Sequence, residues 1–168
     1  MSDPRLQQIL HHLDPPAGTR LWHGGGKVLG VLRGVSPDKA AWSPGPDRHS
    51  IWALTLHMAY WKYIVHRKVI DGPKGGFPRS PSNWPAVPAG ATAESWKKDR
   101  ALLREIHTEL VAAVRDFVPA RLDEVPEGSH GDYSYADLLM GIALHDVHHV
   151  AQIQLLKRLY DNDQGRAG

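Results

Sequence analysis

The chain has 168 residues and a mass of 18.6 kDa, the size of one domain with a hydrophobic core of its own. It contains no cysteine, which excludes disulfide bonds, thiolate-held clusters and a catalytic thiol belonging to the protein, whereas it contains 11 histidines. The formal net charge is only +2 and no Lys/Arg-rich run appears, so the charge does not indicate a nucleic-acid-binding protein.

The first part of the chain predicts short helices joined by loops. A helix is predicted from Pro4 to about Leu13, before two prolines end it. A second, glycine-containing helix is predicted from Lys27 to Arg33. Residues 35–49 contain three prolines and are predicted to form a loop.

The middle of the chain predicts one long helix and one long connection. Apolar residues recur every three or four positions from Ile51 to about Ile70, which is typical of an amphipathic helix. Residues 71–92 contain five prolines and four glycines, a composition that suits a disordered linker or a packed loop. Phe77 and Trp84 favour the packed loop, because large aromatic side chains are costly to leave in water.

Two more long helices complete the prediction, from about Ala93 to Val118 and from Ser134 to about Tyr160. No strand alternation, hairpin turn or repeat is present. The predicted fold is therefore an all-α four-helix bundle with long crossover loops. We expect a single domain over residues 1–168, with its core in about 20–160.

The run His145-Asp146-Val147-His148-His149 is the strongest functional motif. On a helix, His145 and His149 lie on one face about 6 Å apart along the axis, a spacing that lets two imidazoles bind one divalent ion. Both fall on the apolar seam, where imidazoles without partners would be costly to bury. The alternative is a pair of satisfied core or edge histidines. His148 points toward the flank and is interpreted as a boundary residue.

A zinc-protease motif is a competing interpretation of the same residues. Asp146 would replace the general-base glutamate of H-E-x-x-H. Such proteases usually take a further Glu or His ligand downstream, and residues 150–168 contain neither. The pattern therefore disfavours a protease.

His57 is the natural third ligand. It lies on the apolar stripe of its helix, where a lone histidine is usually a satisfied core residue, but the pair on the last helix supplies a reason for it to face inward. Three neutral imidazoles leave an open position for water or substrate, as in catalytic sites. Asp146 and Gln152 are candidates for orienting the ligand rings through their second nitrogens.

The other histidines have no partner at ligand spacing. His66 is predicted to face solvent, about 180° around its helix from His57. Five more are predicted at the surface: His11, His12, His49, His107 and His130.

The two histidine-containing runs resemble the DinB-like (damage-inducible, YfiT-related) metalloproteins. The similarity lies in three places: Ser50-Ile51-Trp52-Ala53-Leu54-x-x-His57 followed by Trp61, His145-Asp146-Val147-His148-His149-x-x-Gln152-Ile153, and Leu32-x-Gly34-Val35 leading to Ala41-Trp42-Ser43-Pro44. It extends over most of residues 20–160. The two histidine runs are its specific part.

The resemblance implies a bundle in up-down-down-up order and a divalent ion, commonly zinc or nickel, held by His57, His145 and His149. The family often has tyrosine where this chain has His148, which makes His148 an additional candidate near the metal. The segment containing His23 also looks family-like. His23 would line the pocket mouth or lie on the surface of a capping loop.

The first functional hypothesis is a metal-dependent enzyme that transfers a small thiol to an electrophile or hydrolyses a small substrate. A metal-bound thiol or water would be the nucleophile, and the thiol would come from a low-molecular-weight cosubstrate because the chain has no cysteine. The substrate pocket should be apolar and aromatic, with Trp52, Tyr60 and Trp61 as candidates. No general base is assigned.

Two alternatives remain open: a non-catalytic metal-binding stress-response protein, and a plain helical interaction module. The resemblance also implies a homodimer. No secretory signal and no window of 18 apolar residues is present, so we expect a cytoplasmic protein without a membrane partner, and no nucleic-acid partner.

Overall fold

A computed structural model describes residues 3–24, 26–73, 75–128 and 131–166. In these ranges five helices follow one another: α1 (Pro4–Leu13), α2 (Pro37–Ala41), α3 (Ile51–Val69), α4 (Ala93–Arg115) and α5 (Tyr135–Arg166), with one 3-10 turn at Pro119–Arg121. The described ranges contain no strand, which confirms the all-α prediction. Within these ranges, none of the helices has an apolar stretch of the length and hydropathy that a membrane span requires.

Two short elements differ from the prediction. The predicted loop 35–49 contains α2, which begins because the Ser36 hydroxyl accepts the Lys39 N–H at 3.2 Å and a proline opens the first turn. The predicted helix from Lys27 to Arg33 is instead a series of turns. Bonds that span three residues, such as Arg33 N–H to the Gly30 carbonyl at 3.1 Å, replace a continuous helical ladder there.

The long helices pack side by side. α3 and α4 run in the same direction. The ring centroids of Trp52 and Trp96, near the beginnings of these helices, lie 5.1 Å apart, and Val69 and Val114, near their ends, belong to one apolar cluster. α5 runs opposite to α3, and α1 packs against α4 and α5. The complete up-down-down-up order stays a prediction of the resemblance.

A buried polar layer, consisting of Lys62, His107 and Asp146, lies between two apolar clusters along the bundle. In one cluster, the α3 residues lie between Ile51 and Ala59 and the α5 residues lie between Val150 and Leu156. The other cluster contains residues from the opposite ends of these two helices. Lys62 Nζ donates to Asp146 Oδ2 at 2.5 Å, and both side chains are buried. Burial raises the pKa of Asp146, and the Lys62 ammonium opposes that rise.

The surface predictions for His107 and His66 are wrong. His107 is 5% exposed because it lies on the buried stripe of α4, between Leu103 and Leu110. The His66 side chain is only 16% exposed, with its Nδ1 3.9 Å from a carboxylate oxygen of Glu109. His11 and His49 are exposed and His12 is half-buried, while His130 lies outside the described residues.

The long connection 71–92 is held against the bundle in its described part. Phe77 and Trp84 pack on the core, in agreement with the packed-loop prediction. Asp99 on α4 is fully buried and accepts hydrogen bonds from Arg79 of the loop, at 2.6 and 2.9 Å, and from Trp52 Nε1, at 2.8 Å. The prediction that Trp52 lines a substrate pocket is therefore wrong, because its ring is completely buried in the core.

Lys62→Met should lower the free energy of unfolding by about 3–5 kcal/mol, because it leaves the buried Asp146 carboxylate without its cation. Lys62→Met/Asp146→Leu should recover most of that loss, since the second change removes the unpaired charge. Urea unfolding of the metal-free protein at neutral pH measures both. If the free energy of unfolding of Lys62→Met were within about 0.5 kcal/mol of the wild-type value, the role of the pair would be contradicted.

His107 should make the folded state sensitive to acid. Burial, together with the charge of Lys62, lowers its pKa to about 3, whereas an ordinary histidine titrates at 6.5. Between these values the unfolded chain binds more protons than the folded one, so the free energy of unfolding decreases as the pH falls from 6.5. His107→Leu should remove on the order of 1 kcal/mol per pH unit of this decrease. Urea unfolding from neutral pH to about pH 4 tests it, and an unchanged slope in the variant would refute it.

Candidate metal centre

The imidazoles of His57, His145 and His149 converge at one point in the bundle. His145 Nε2 lies 3.1 Å from His57 Nε2 and 3.0 Å from His149 Nε2, and one nitrogen from each ring lies within 4.8 Å of the other two. Nitrogens that share a tetrahedral zinc ion at its usual bond length are about 3.3 Å apart. The three histidines could therefore hold a divalent metal ion.

Hydrogen bonds at the outer nitrogens fix which ring atoms face the centre. His57 Nδ1 lies 2.7 Å from the Asn83 carbonyl, and His149 Nδ1 lies 2.6 Å from Gln152 Oε1. Because both oxygens can only accept, each Nδ1 carries the proton and each Nε2 presents a lone pair. At least two lone pairs thus point into the same small space, an arrangement that a bound cation satisfies.

The ligand rings are neutral at pH 7. Burial lowers the pKa of His145 to about 3. It also lowers the pKa of His149 to about 4, against the opposing effect of the hydrogen bond that His149 donates to Gln152. Burial also lowers the pKa of His57, although its bond to Asn83 acts in the other direction. Neutral imidazole is the form that binds metals, so the apolar surroundings keep the centre ready for a cation. His145 Nδ1 is buried without a hydrogen-bond partner within the described residues.

The loop residues Asn83 and Trp84 belong to the centre and are absent from the predicted set. Besides its carbonyl bond to His57, Asn83 accepts the Trp61 Nε1–H at 2.8 Å through its side chain, and its backbone is left-handed with φ of 68°. Trp84 stacks on the His57 ring at 3.8 Å and on the His49 ring at 3.6 Å. Asparagine tolerates a positive φ better than most residues. Its position between prolines is the only feature of the sequence that indicates this loop conformation.

The remaining predicted site residues fall into different environments. Gln152 orients His149, and its amide nitrogen lies 3.2 Å from Nε2 of the exposed His148. Asp146 pairs with Lys62 instead of a ligand ring. His23 is exposed, with its ring 5.9 Å from that of His12, and is not a member of the three-imidazole group.

A groove of about 480 Å³ between α3 and α5 reaches the centre at His145. Trp61 lines it and is 37% exposed, whereas Tyr60 packs edge-on against Phe77 and is not part of its wall. Most of its other side chains are apolar: Ile64, Val65, Tyr133, Leu138 and Ile142, with Lys68 and Asp137 as the charged members. The groove is therefore suited to a small apolar molecule.

Comparison with known proteins shows the family of this chain. Neither the curated proteins nor the solved structures that were compared gave a significant match. The family model described as "DinB superfamily" matches residues 23–153, well over half of the chain, and this range includes all three converging histidines. The chain belongs to the DinB superfamily.

Proposed function

We propose that the chain is a metal-dependent enzyme that uses one divalent ion, zinc or nickel, held by His57, His145 and His149. The observation that carries the proposal is the pair of Nε2 lone pairs fixed toward one point beside an open apolar groove. Three protein ligands leave a coordination position free, which is a feature of catalytic sites. When bound, such an ion supplies a Lewis acid that lowers the pKa of a thiol or a water.

Transfer of a low-molecular-weight thiol fits this centre better than hydrolysis. Attack by water is usually assisted by a general base as well, and the acidic residue of the motif, Asp146, is already paired with Lys62. A thiol ionises far more readily, near pKa 8.5. The thiol sulfur would form a new C–S bond, its proton would pass to solvent, and the leaving group of the electrophile would depart with the bonding electrons.

The protein's own residues have separate roles in this proposal. Asn83 and Gln152 hold two ligand rings in the required tautomer. Trp61 and its apolar neighbours in the groove bind and orient the electrophile beside His145 and exclude water. The thiol comes from a cosubstrate, because the chain has no cysteine.

Metal binding is tested by titrating chelator-treated protein with zinc or nickel and measuring bound metal by equilibrium dialysis and mass spectrometry. We expect one ion per chain. His145→Ala should weaken binding by more than about 100-fold, since loss of an outer partner alone costs up to that much. His148→Ala is the matched control and should bind like the wild type. Absence of uptake, or equal affinity in His145→Ala, would rule out the three-histidine centre.

Catalysis is tested with the metal-loaded protein, a panel of low-molecular-weight thiols and an apolar alkyl halide, with thioether formation as the readout. Turnover should require the metal and disappear in His145→Ala. Trp61→Ala should raise KM several-fold with little change in kcat, because it removes binding shared by ground and transition states. Metal binding without turnover for any thiol would refute the enzyme and support the alternative, a non-catalytic metal-binding protein.

A further inference from the structure

A second cavity, of about 550 Å³, lies against α4 and is separate from the metal centre. Its wall consists of the end of α1, the turns of residues 27–34 and one face of α4. It shares no lining residue with the groove that leads to His145. Its volume is in the range of small-molecule binding sites.

Positive charge is concentrated in the wall of this cavity. Four cationic side chains line it, Lys27, Arg33, Arg100 and Arg104, against the single carboxylate of Asp14. The whole chain carries a net charge of only +2. The cavity therefore holds a local excess of positive charge that the composition does not show.

Three of these cations have no carboxylate partner among the residues that the structure describes. Asp14 forms an ion pair with Arg115 outside the cavity at 2.8 Å, and Lys27 donates to the carbonyls of Pro15 and Pro16. Across the described ranges of the chain, no carboxylate pairs with the remaining three guanidinium groups: Arg33, Arg100 and Arg104. The guanidinium carbon of Arg100 lies over the Trp96 ring, 5.7 Å from the ring centroid.

A buried polar group without a partner lies in the same wall. His107 lines the cavity and is 5% exposed, and its Nδ1 has no hydrogen-bond partner in the described part of the chain. Such a group is costly unless a bound molecule or water completes its hydrogen bonding. The Nδ1 atom itself is closed to solvent, so the guanidinium groups beside His107, and not this nitrogen, indicate the class of ligand.

We propose that this cavity binds a small organic anion, a molecule with a carboxylate or phosphate group and an apolar body. The guanidinium group matches both anions, since it donates two parallel hydrogen bonds to their oxygens. The apolar body would contact the aliphatic part of the wall, formed by Leu13, Val28, Leu29 and Leu32. This site adds a second ligand to the protein and does not depend on the proposed metal chemistry.

The test uses three probes that share an alkyl chain: octyl phosphate, octanoate and the uncharged octanol. Calorimetry and ¹⁵N NMR titration of the full chain should show saturable binding of at least one anion, with shifts in residues 27–34 and 100–107. Comparison of octyl phosphate with octanoate identifies the preferred anionic group. Octanol should bind at least tenfold more weakly.

Arg33→Gln/Arg104→Gln should weaken binding of the anion at least tenfold, because it removes two unpaired cations. The matched control is Arg48→Gln/Arg158→Gln, which removes the same charge from exposed positions outside the cavity and should retain the affinity. All four arginines are exposed, so both variants should keep the wild-type melting temperature.

Three outcomes would overturn the proposal. Octanol could bind as tightly as the anions, the control variant could lose as much affinity as the cavity variant, or the NMR shifts could map to the groove at Trp61 and His145. The first two outcomes would leave metal binding by the three histidines unaffected, because the cavity and the histidine group share no residue. The third would assign the anion to the groove at His145 instead.

Discussion

The ion pair between Lys62 and Asp146 is the constraint on which the centre of the bundle depends. Two charges almost completely removed from water are costly, and the cost is offset only when the partners stay in contact, here at 2.5 Å. The pair joins α3 to α5 one residue from His145 and five residues from His57. It therefore restricts sliding and rotation of the two helices that bring the ligand imidazoles together.

The long connection 71–92 completes the centre that the helices begin. Arg79 is held by the buried Asp99, whose other partner is Trp52 in the core, so this part of the loop has a fixed attachment to α3 and α4. Four residues further along, the Asn83 carbonyl accepts the proton of His57. The tautomer of a helical ligand thus depends on a loop whose own position depends on a buried carboxylate.

Helix periodicity and histidine spacing were sufficient to predict the long helices and the three converging imidazoles. The polar layer was not predicted, although Lys62, His107 and Asp146 each lie three or four residues from buried apolar positions on their helices. Their residue types argue for the surface, because burial of a charge depends on a partner from another helix. Asn83 was missed for a similar reason, since its role rests on a loop conformation that tertiary contacts decide.

Stability alone does not account for the polar layer. Well-packed apolar residues in place of a buried ion pair are often neutral or stabilising, and apolar clusters already fill the bundle on both sides of this layer. The layer instead lies in the core between the cavity at α4 and the groove at α3 and α5. His107 lines the cavity at α4, Lys62 acts electrostatically on both His107 and His145, and His145 opens onto the groove at α3 and α5. The buried ion pair thus lies in the layer between the cavity at α4 and the groove at His145. Positioning of these groups, more than stability, explains why the polar layer is present.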